Sequence, residues 1–87
     1  TKAIELDPNY ADAYYNRGNS KTKAKDYNGA IRDYTKAIEL DPNYANAYVN
    51  RGISKKNLKD YSGAISDYTK AIELDPNDAK TYFKKDF

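Results

Sequence analysis

Lysine, aspartate, asparagine and tyrosine carry whatever chemistry this chain can perform. The 87 residues include ten tyrosines but no cysteine and no histidine. The chain therefore lacks the residues that disulfide bonds, imidazole acid–base catalysis and most zinc or haem sites require. It also shows no nucleophile–base pair, acidic metal cluster or glycine-rich phosphate loop. We therefore expect no enzyme, no cofactor and no bound metal.

The charge balance bears on the class of partner. Fifteen basic and thirteen acidic residues leave a formal net charge of +2, which is too balanced for the basic surface that a nucleic acid requires. No apolar run approaches the roughly 20 residues that span a bilayer. We therefore expect neither a nucleic acid partner nor insertion into a membrane.

The elements that position these residues repeat along the chain. The string TKAIELDPN occurs unchanged at Thr1–Asn9, Thr35–Asn43 and Thr69–Asn77, and residues 11–44 match residues 45–78 at 25 of 34 positions. A period of this length is typical of helical hairpins that stack, because one hairpin cannot bury its apolar stripe alone. We expect one domain over 1–87, with full repeats at 11–44 and 45–78 and partial repeats at 1–10 and 79–87.

Each repeat contains two helical patterns, which predict an all-α fold. The first spans about residues 11–24 or 45–58, and the second begins after Asp26 or Asp60, which are placed as N-caps. The Asp-Pro pairs at 41 and 75 end the second helix, because a residue before proline avoids helical angles. Helical spacing predicts that one face of this helix is buried. Its residues are Ala30, Ile31, Tyr34, Ala37 and Ile38, copied as Ala64, Ile65, Tyr68, Ala71 and Ile72.

Tyrosines and lysines recur at fixed places in the two repeats. We expect Tyr14, Tyr34, Tyr48 and Tyr68 to pack between helices with each hydroxyl at the edge. Lysines cluster where the first helix ends, so their charge meets the negative end of the helix dipole. They form either a solvated helix end or a basic edge for a partner. These lysines are Lys21, Lys23 and Lys25, followed by Lys55, Lys56 and Lys59.

This pattern resembles the tetratricopeptide repeat family, whose 34-residue unit carries an aromatic residue, glycine, alanine, a second aromatic, alanine and proline at set offsets. The matching residues are Tyr14, Gly18, Ala30, Tyr34, Ala37 and Pro42, then Tyr48, Gly52, Ala64, Tyr68, Ala71 and Pro76. The resemblance covers the whole chain. It implies a solenoid of helix-turn-helix repeats, stacked as antiparallel helix pairs into a right-handed superhelix.

The chain departs from the family pattern in both repeats. Arg17 and Arg51 stand where leucine is usual, and Lys25 and Lys59 stand where a turn glycine is favoured. We expect the arginine stems to lie over neighbouring tyrosines, with their charged ends in water or on an aspartate at position 33 or 67.

The resemblance implies a protein–protein interaction module whose first helices line a concave groove for a peptide or a partner's helix. Of the nine differences between the full repeats, five fall on the helical stripe that would face this groove. Contact with different parts of one partner would explain this, and drift at exposed positions is the alternative. The implied groove residues are Asp12, Tyr15, Asn16, Asn19, Thr22, Lys23, Asn46, Val49, Asn50, Ile53, Lys56, Asn57, Lys80, Phe83 and Lys84.

A narrower possibility is a dock for acidic C-terminal tails. Some family members grip terminal carboxylates with lysines, asparagines and an arginine from three first helices. By this resemblance, Asn19, Asn50 and Lys80 match three of the five positions. Lys84 stands in place of the arginine and Tyr15 in place of the other lysine.

The structural alternative is a self-stacking spacer or assembly scaffold without a dedicated ligand. The sequence starts within one helix pair and stops within another, which predicts head-to-tail self-association through uncapped apolar ends. The residues expected at these ends are Ala3, Ile4 and Leu6, and Tyr82, Phe83 and Phe87.

Overall fold

The computed structural model describes residues 10–76, which form four α-helices and no β-strand. The helices are α1 (Ala11–Lys23), α2 (Tyr27–Leu40), α3 (Ala45–Asn57) and α4 (Tyr61–Leu74). Helix α1 packs on α2, α3 packs on α4, and α2 packs on α3. The described chain is thus a stack of two helix hairpins, which confirms the predicted all-α repeat architecture. None of these helices is long and apolar enough to cross a membrane.

Helices α2 and α4 begin at the predicted aspartate caps. Oδ1 of Asp26 accepts a hydrogen bond from the backbone N–H of Gly29 at 3.0 Å, and Asp60 accepts one from Gly63 at the same distance. A Cβ atom at either glycine would lie 2.3 Å from the capping carboxylate. The glycines stand in a helical first turn because the cap leaves no room for a side chain there.

A left-handed residue closes the first helix of each repeat. Lys25 has a φ of 65° and Lys59 a φ of 68°, in the region that glycine favours. In the first repeat, the backbone N–H of Asp26 donates to the carbonyl of Lys21 at 2.8 Å, and that of Lys25 donates to Thr22 at 2.9 Å. This pair of bonds satisfies the last carbonyls of α1 and turns the chain into α2.

Small residues bring the helices of each hairpin into close contact. A Cβ atom at Gly18 would lie 2.6 Å from the Tyr34 ring, and one at Gly52 would lie 2.7 Å from the Tyr68 ring. Each ring therefore lies directly on a glycine and is almost fully buried, as predicted, but the Tyr68 hydroxyl is buried as well and does not lie at the edge. The alanines with no exposed surface are Ala30, Ala37, Ala47, Ala64 and Ala71.

A buried aspartate links the two helices of the first repeat. Arg17 donates to both carboxylate oxygens of Asp33, at 2.8 and 2.9 Å, and Nζ of Lys21 lies 3.1 Å from the same carboxylate. Burial alone would raise the pKa of Asp33, but the hydrogen bonds from Arg17 and Lys21 hold it below its ordinary value of 3.8. The guanidinium group of Arg17 lies 5.3 Å from the centre of the Tyr14 ring.

The second repeat contains the same ion cluster in a less exposed setting. Arg51 donates to Asp67 at 2.8 and 2.9 Å, Lys55 lies 3.1 Å from that carboxylate, and the Arg51 guanidinium lies over Tyr48. Arg51 also donates to the hydroxyl of Thr35 at 3.2 Å, which ties the second repeat to the first. The expected contacts of both arginines with the aspartates are confirmed, but the group found over each tyrosine ring is the guanidinium group.

One prediction about a buried residue fails in the second repeat. Ile65 is 52% exposed, whereas the equivalent Ile31 is half-buried next to the following repeat. Among residues 10–76, no helix packs on α4 as α3 packs on α2. Tyr48 is half-buried, which is compatible with the expected packed ring and edge hydroxyl. The predicted partial repeats, with the end residues expected to associate, lie outside the described residues apart from Tyr10.

Candidate functional site

Helices α1, α2 and α3 border an open pocket of about 310 Å³ at the junction of the two repeats. Its lining residues are Asn19, Thr22 and Lys23 from α1, Tyr34 from α2, and Asn50 and Ile53 from α3. Five of these six belong to the predicted groove stripe, and Tyr34 had been predicted to pack between helices. The volume lies near the lower end of the about 300–1,000 Å³ of small-ligand pockets. It suits one or two side chains of a longer ligand.

Hydrogen bonds across the repeat junction fix the side chain of Asn19. Its Oδ1 accepts from the hydroxyl of Tyr34 at 2.7 Å and from Nδ2 of Asn50 at 2.9 Å. The same Nδ2 donates to the hydroxyl of Tyr15 at 2.9 Å. Because these bonds engage both hydrogens of Asn50 Nδ2 and the carbonyl of Asn19, the amide group of Asn19 and the hydroxyl hydrogen of Tyr15 remain as donors in the network. The amide group of Asn19 has no partner among residues 10–76.

Hydroxyl groups continue this network beneath the pocket. Oγ1 of Thr22 donates to the Gly18 carbonyl at 3.0 Å and lies 3.1 Å from the Tyr34 hydroxyl and 3.5 Å from Oγ of the fully buried Ser54. Burial raises the pKa of Tyr34 above its ordinary value of 10.0. The Tyr34 hydroxyl therefore stays protonated at neutral pH and keeps donating to Asn19.

A second cluster lies at the N-terminal end of α1. The Tyr15 ring centre is 5.0 Å from that of Tyr44 and 5.9 Å from that of Tyr34. The hydroxyl of Tyr44 donates to Oδ1 of Asp12. Burial, followed by this bond to a carboxylate, raises the pKa of Tyr44 well above its ordinary value. We call Asp12, Tyr15 and Tyr44 the junction cluster, because it joins the first repeat to the start of α3.

The junction cluster accounts for part of the variation between the repeats. Its three positions are among the nine at which the repeats differ, and the second repeat has asparagine, valine and aspartate there. The sequence predicts partner contact for Asp12 and Tyr15, whereas the difference between Tyr44 and Asp78 lies outside the predicted groove stripe. The fact that all three positions differ between the repeats hinted that they change together. Only the fold shows that these side chains contact one another.

The remaining predicted groove residues fall into three groups. Val49 is fully buried, so the prediction that it faces the groove is wrong: its side chain is shorter than that of Tyr15 and ends below the surface. Asn16, Asn46, Lys56 and Asn57 are exposed but do not line the pocket. Lys80, Phe83 and Lys84 lie outside the described residues.

Two stacked helix hairpins with a 34-residue period define an α-helical repeat protein. The sequence profile of the tetratricopeptide repeat matches residues 11–44 and 45–78. The chain belongs to the tetratricopeptide repeat family. Members of this family mediate interactions between proteins, and the family is not a catalytic one.

Solved structures of the family share this fold. The crystal structure of MamA has a TM-score of 0.87 and 29% identity, covering 94% of this chain and 48% of MamA. The Arabidopsis OM64 TPR domain has a TM-score of 0.86 and 31% identity, covering 90% of this chain and 64% of that domain. The TPR2B domain of yeast Sti1, in a complex with pHsp70, has a TM-score of 0.84 and 33% identity, covering 86% of this chain and 60% of the Sti1 chain.

These comparisons also show how much of each relative the chain represents. It spans between about half and just under two thirds of the three structures. No curated protein sequence is similar enough to count as a match.

Proposed function

We propose that this chain binds a peptide or a partner's helix in the groove that α1 and α3 line. The observation that carries the proposal is the pocket at the repeat junction, where an oriented amide and a lysine lie beside an apolar side chain. A groove of this kind binds a ligand along its length, while one or two ligand side chains enter the pocket. The yeast Sti1 domain in complex with pHsp70 supports a peptide as the ligand.

The polar groups of the pocket favour a ligand side chain that accepts hydrogen bonds. Asn19 has its amide group left as a donor, and the exposed Lys23 adds a positive charge. Ile53 supplies an apolar wall beside them. A carboxylate or amide side chain that follows an apolar residue meets these requirements best, because a ligand without an acceptor would bury the donor of Asn19 unpaired, which is costly.

The geometry gives less support to the narrower carboxylate dock. Its match relied on Asn50 as a donor, but both hydrogens of that amide already bond to Tyr15 and Asn19. Two of its other positions, Lys80 and Lys84, lie outside the described residues. The general peptide groove therefore remains the better proposal.

A selection experiment tests the groove directly. A displayed library of short random peptides is enriched on the 87-residue chain, and the affinity of each enriched peptide is then measured. The Lys23→Asn variant replaces a pocket residue by the residue at the equivalent position of the second repeat. The Arg32→Ser variant makes the equivalent replacement at an exposed position on α2, outside the pocket. Each variant removes one positive charge, so Arg32→Ser is a matched control.

We expect Lys23→Asn to weaken peptide binding about tenfold, equivalent to about 1.4 kcal/mol, and Arg32→Ser to leave it nearly unchanged. Tyr15 and Asn50 are poorer choices, because both hold α1 against the next repeat. Failure to enrich any peptide, or equal losses for the two variants, would contradict the groove assignment.

A further inference from the structure

Two opposite charges lie on the groove side of α1, one near each end of the helix. Asp12 belongs to the junction cluster, Lys23 lines the pocket, and both are exposed. They are eleven residues apart, which is about three helical turns, so both side chains lie on the same face of α1. A ligand that runs along this helix would therefore pass both charges.

The second repeat lacks both charges. Asn46 and Asn57 stand at the positions equivalent to Asp12 and Lys23. A helix dipole favours an acidic residue in the first turn and a basic residue in the last turn, where Asp12 and Lys23 lie. Helix α3 has the same 13 residues in length, and so a similar dipole, but it does not carry this pair. Contact with one ligand at both ends of α1 explains why the two charges occur together in the first repeat.

Each charge lies beside groups that suit a ligand side chain of opposite charge. The hydroxyl of Tyr44 donates to Oδ1 of Asp12, and a carboxylate has further acceptor sites beyond one such bond. The ring centres of Tyr15 and Tyr44 lie 5.0 Å apart in the same cluster, and aromatic rings attract cations. Lys23 shares its pocket with the amide group of Asn19. The Asp12 end therefore suits a cation, and the Lys23 end suits an anion.

We propose that the ligand of the groove is an extended peptide with a basic side chain on Asp12 and an acidic side chain on Lys23. This proposal rests on the peptide groove proposed above and names the charge pattern of its ligand. Eleven residues of α-helix span about 16 Å, and an extended peptide advances about 3.3 Å per residue. The two charged residues of the ligand are therefore about five positions apart. A purely acidic peptide would be repelled by Asp12.

A library that varies the spacing of two charges tests this pattern. Each displayed peptide carries one arginine and one glutamate, at varied spacing and in either order, and the library is enriched on the 87-residue chain. We expect enrichment of pairs about five positions apart, in the order that matches the direction of the bound peptide. The Asp12→Asn variant removes the charge but keeps an oxygen that accepts from Tyr44. Glu73→Gln removes the same charge at an exposed position of α4 and is the matched control.

We expect Asp12→Asn to weaken binding of the enriched peptide about fivefold, the upper range for an exposed ion pair, and Glu73→Gln to leave it unchanged. The loss should vanish when glutamine replaces the peptide's arginine and persist when glutamine replaces its glutamate. Lys23→Asn should show the reverse pattern. Enrichment of no peptide would overturn the groove as well as this proposal. Enrichment without a preferred spacing, or an Asp12→Asn variant that binds like the parent, would overturn the charge pattern alone.

Discussion

The first repeat, residues 11–44, and the second, residues 45–78, share 25 of 34 residues, but equivalent side chains differ in burial. The side chain of Arg17 is 50% exposed and that of Arg51 is 17% exposed. Ser20 is exposed and Ser54 is fully buried, whereas Ile31 is half-buried and Ile65 is exposed. A residue's burial in this fold therefore depends on which neighbours its repeat has, as well as on its position within the repeat.

The polar contacts of the two repeats differ for the same reason. The network around Asn19 needs Tyr34 from its own repeat and Asn50 from the next one. The equivalent of Asn19 in the second repeat is isoleucine, which cannot hydrogen-bond. The pocket is thus a property of the junction between repeats, and a single repeat could not form it.

The largest effect should come from the Tyr34 ring, which packs between the helices of the first hairpin. Tyr34 is almost fully buried and contacts Gly18, Asn19 and Tyr15. Replacing a buried aromatic residue by alanine costs about 3–5 kcal/mol, so Tyr34→Ala should unfold most of this small chain. Urea denaturation followed by circular dichroism measures the loss. Tyr61→Ala, at a tyrosine that is 52% exposed, is the control and should cost about 0.5 kcal/mol.

The two aspartate clusters provide a sharper comparison between the repeats. Asp67→Asn should cost about 3 kcal/mol, because it leaves a mostly buried arginine and a lysine without their carboxylate. Asp33→Asn should cost about 1–2 kcal/mol, because water can solvate the more exposed Arg17 instead. Urea midpoints of the two variants give the difference. Equal costs would show that the exposure of the arginine does not control the strength of the cluster.

Equivalent turns should respond equally, in contrast to these clusters. Lys25 and Lys59 have nearly the same positive φ, 65° and 68°. A left-handed conformation costs roughly 1–2 kcal/mol for residues other than glycine, and the greater freedom of unfolded glycine offsets part of this. Lys25→Gly and Lys59→Gly should therefore each stabilise the chain by about 0.5–1 kcal/mol. Lys70→Gly within α4 is the control and should destabilise it by about 1 kcal/mol.

Features that depend on one repeat could be predicted from the sequence. The period, both aspartate caps, the helix ends before proline and the Arg17–Asp33 contact each follow from spacing within 34 residues. Features that depend on two repeats were harder to predict. Ile65 and Ile31 occupy the same position in their repeats, so only the stack shows that one is exposed. Val49 was assigned to the groove by the family resemblance, with the variation along its stripe as support, although variation alone does not distinguish a buried replacement from an exposed one.

The smallest predicted effect is the coupling between Asp12 and Tyr44, which tests why the repeats differ at the junction cluster. Asp12→Ala and Tyr44→Phe each remove one partner of their hydrogen bond while keeping the Tyr44 ring on Tyr15. A double-mutant cycle cancels the separate loss of a negative charge at the start of α1. Because the pair is exposed, we expect a coupling of about 0.5 kcal/mol in the free energy of unfolding. Zero coupling would show that the hydrogen bond to Tyr44 does not explain why the first repeat has aspartate at position 12. Partner contact would then be the better explanation.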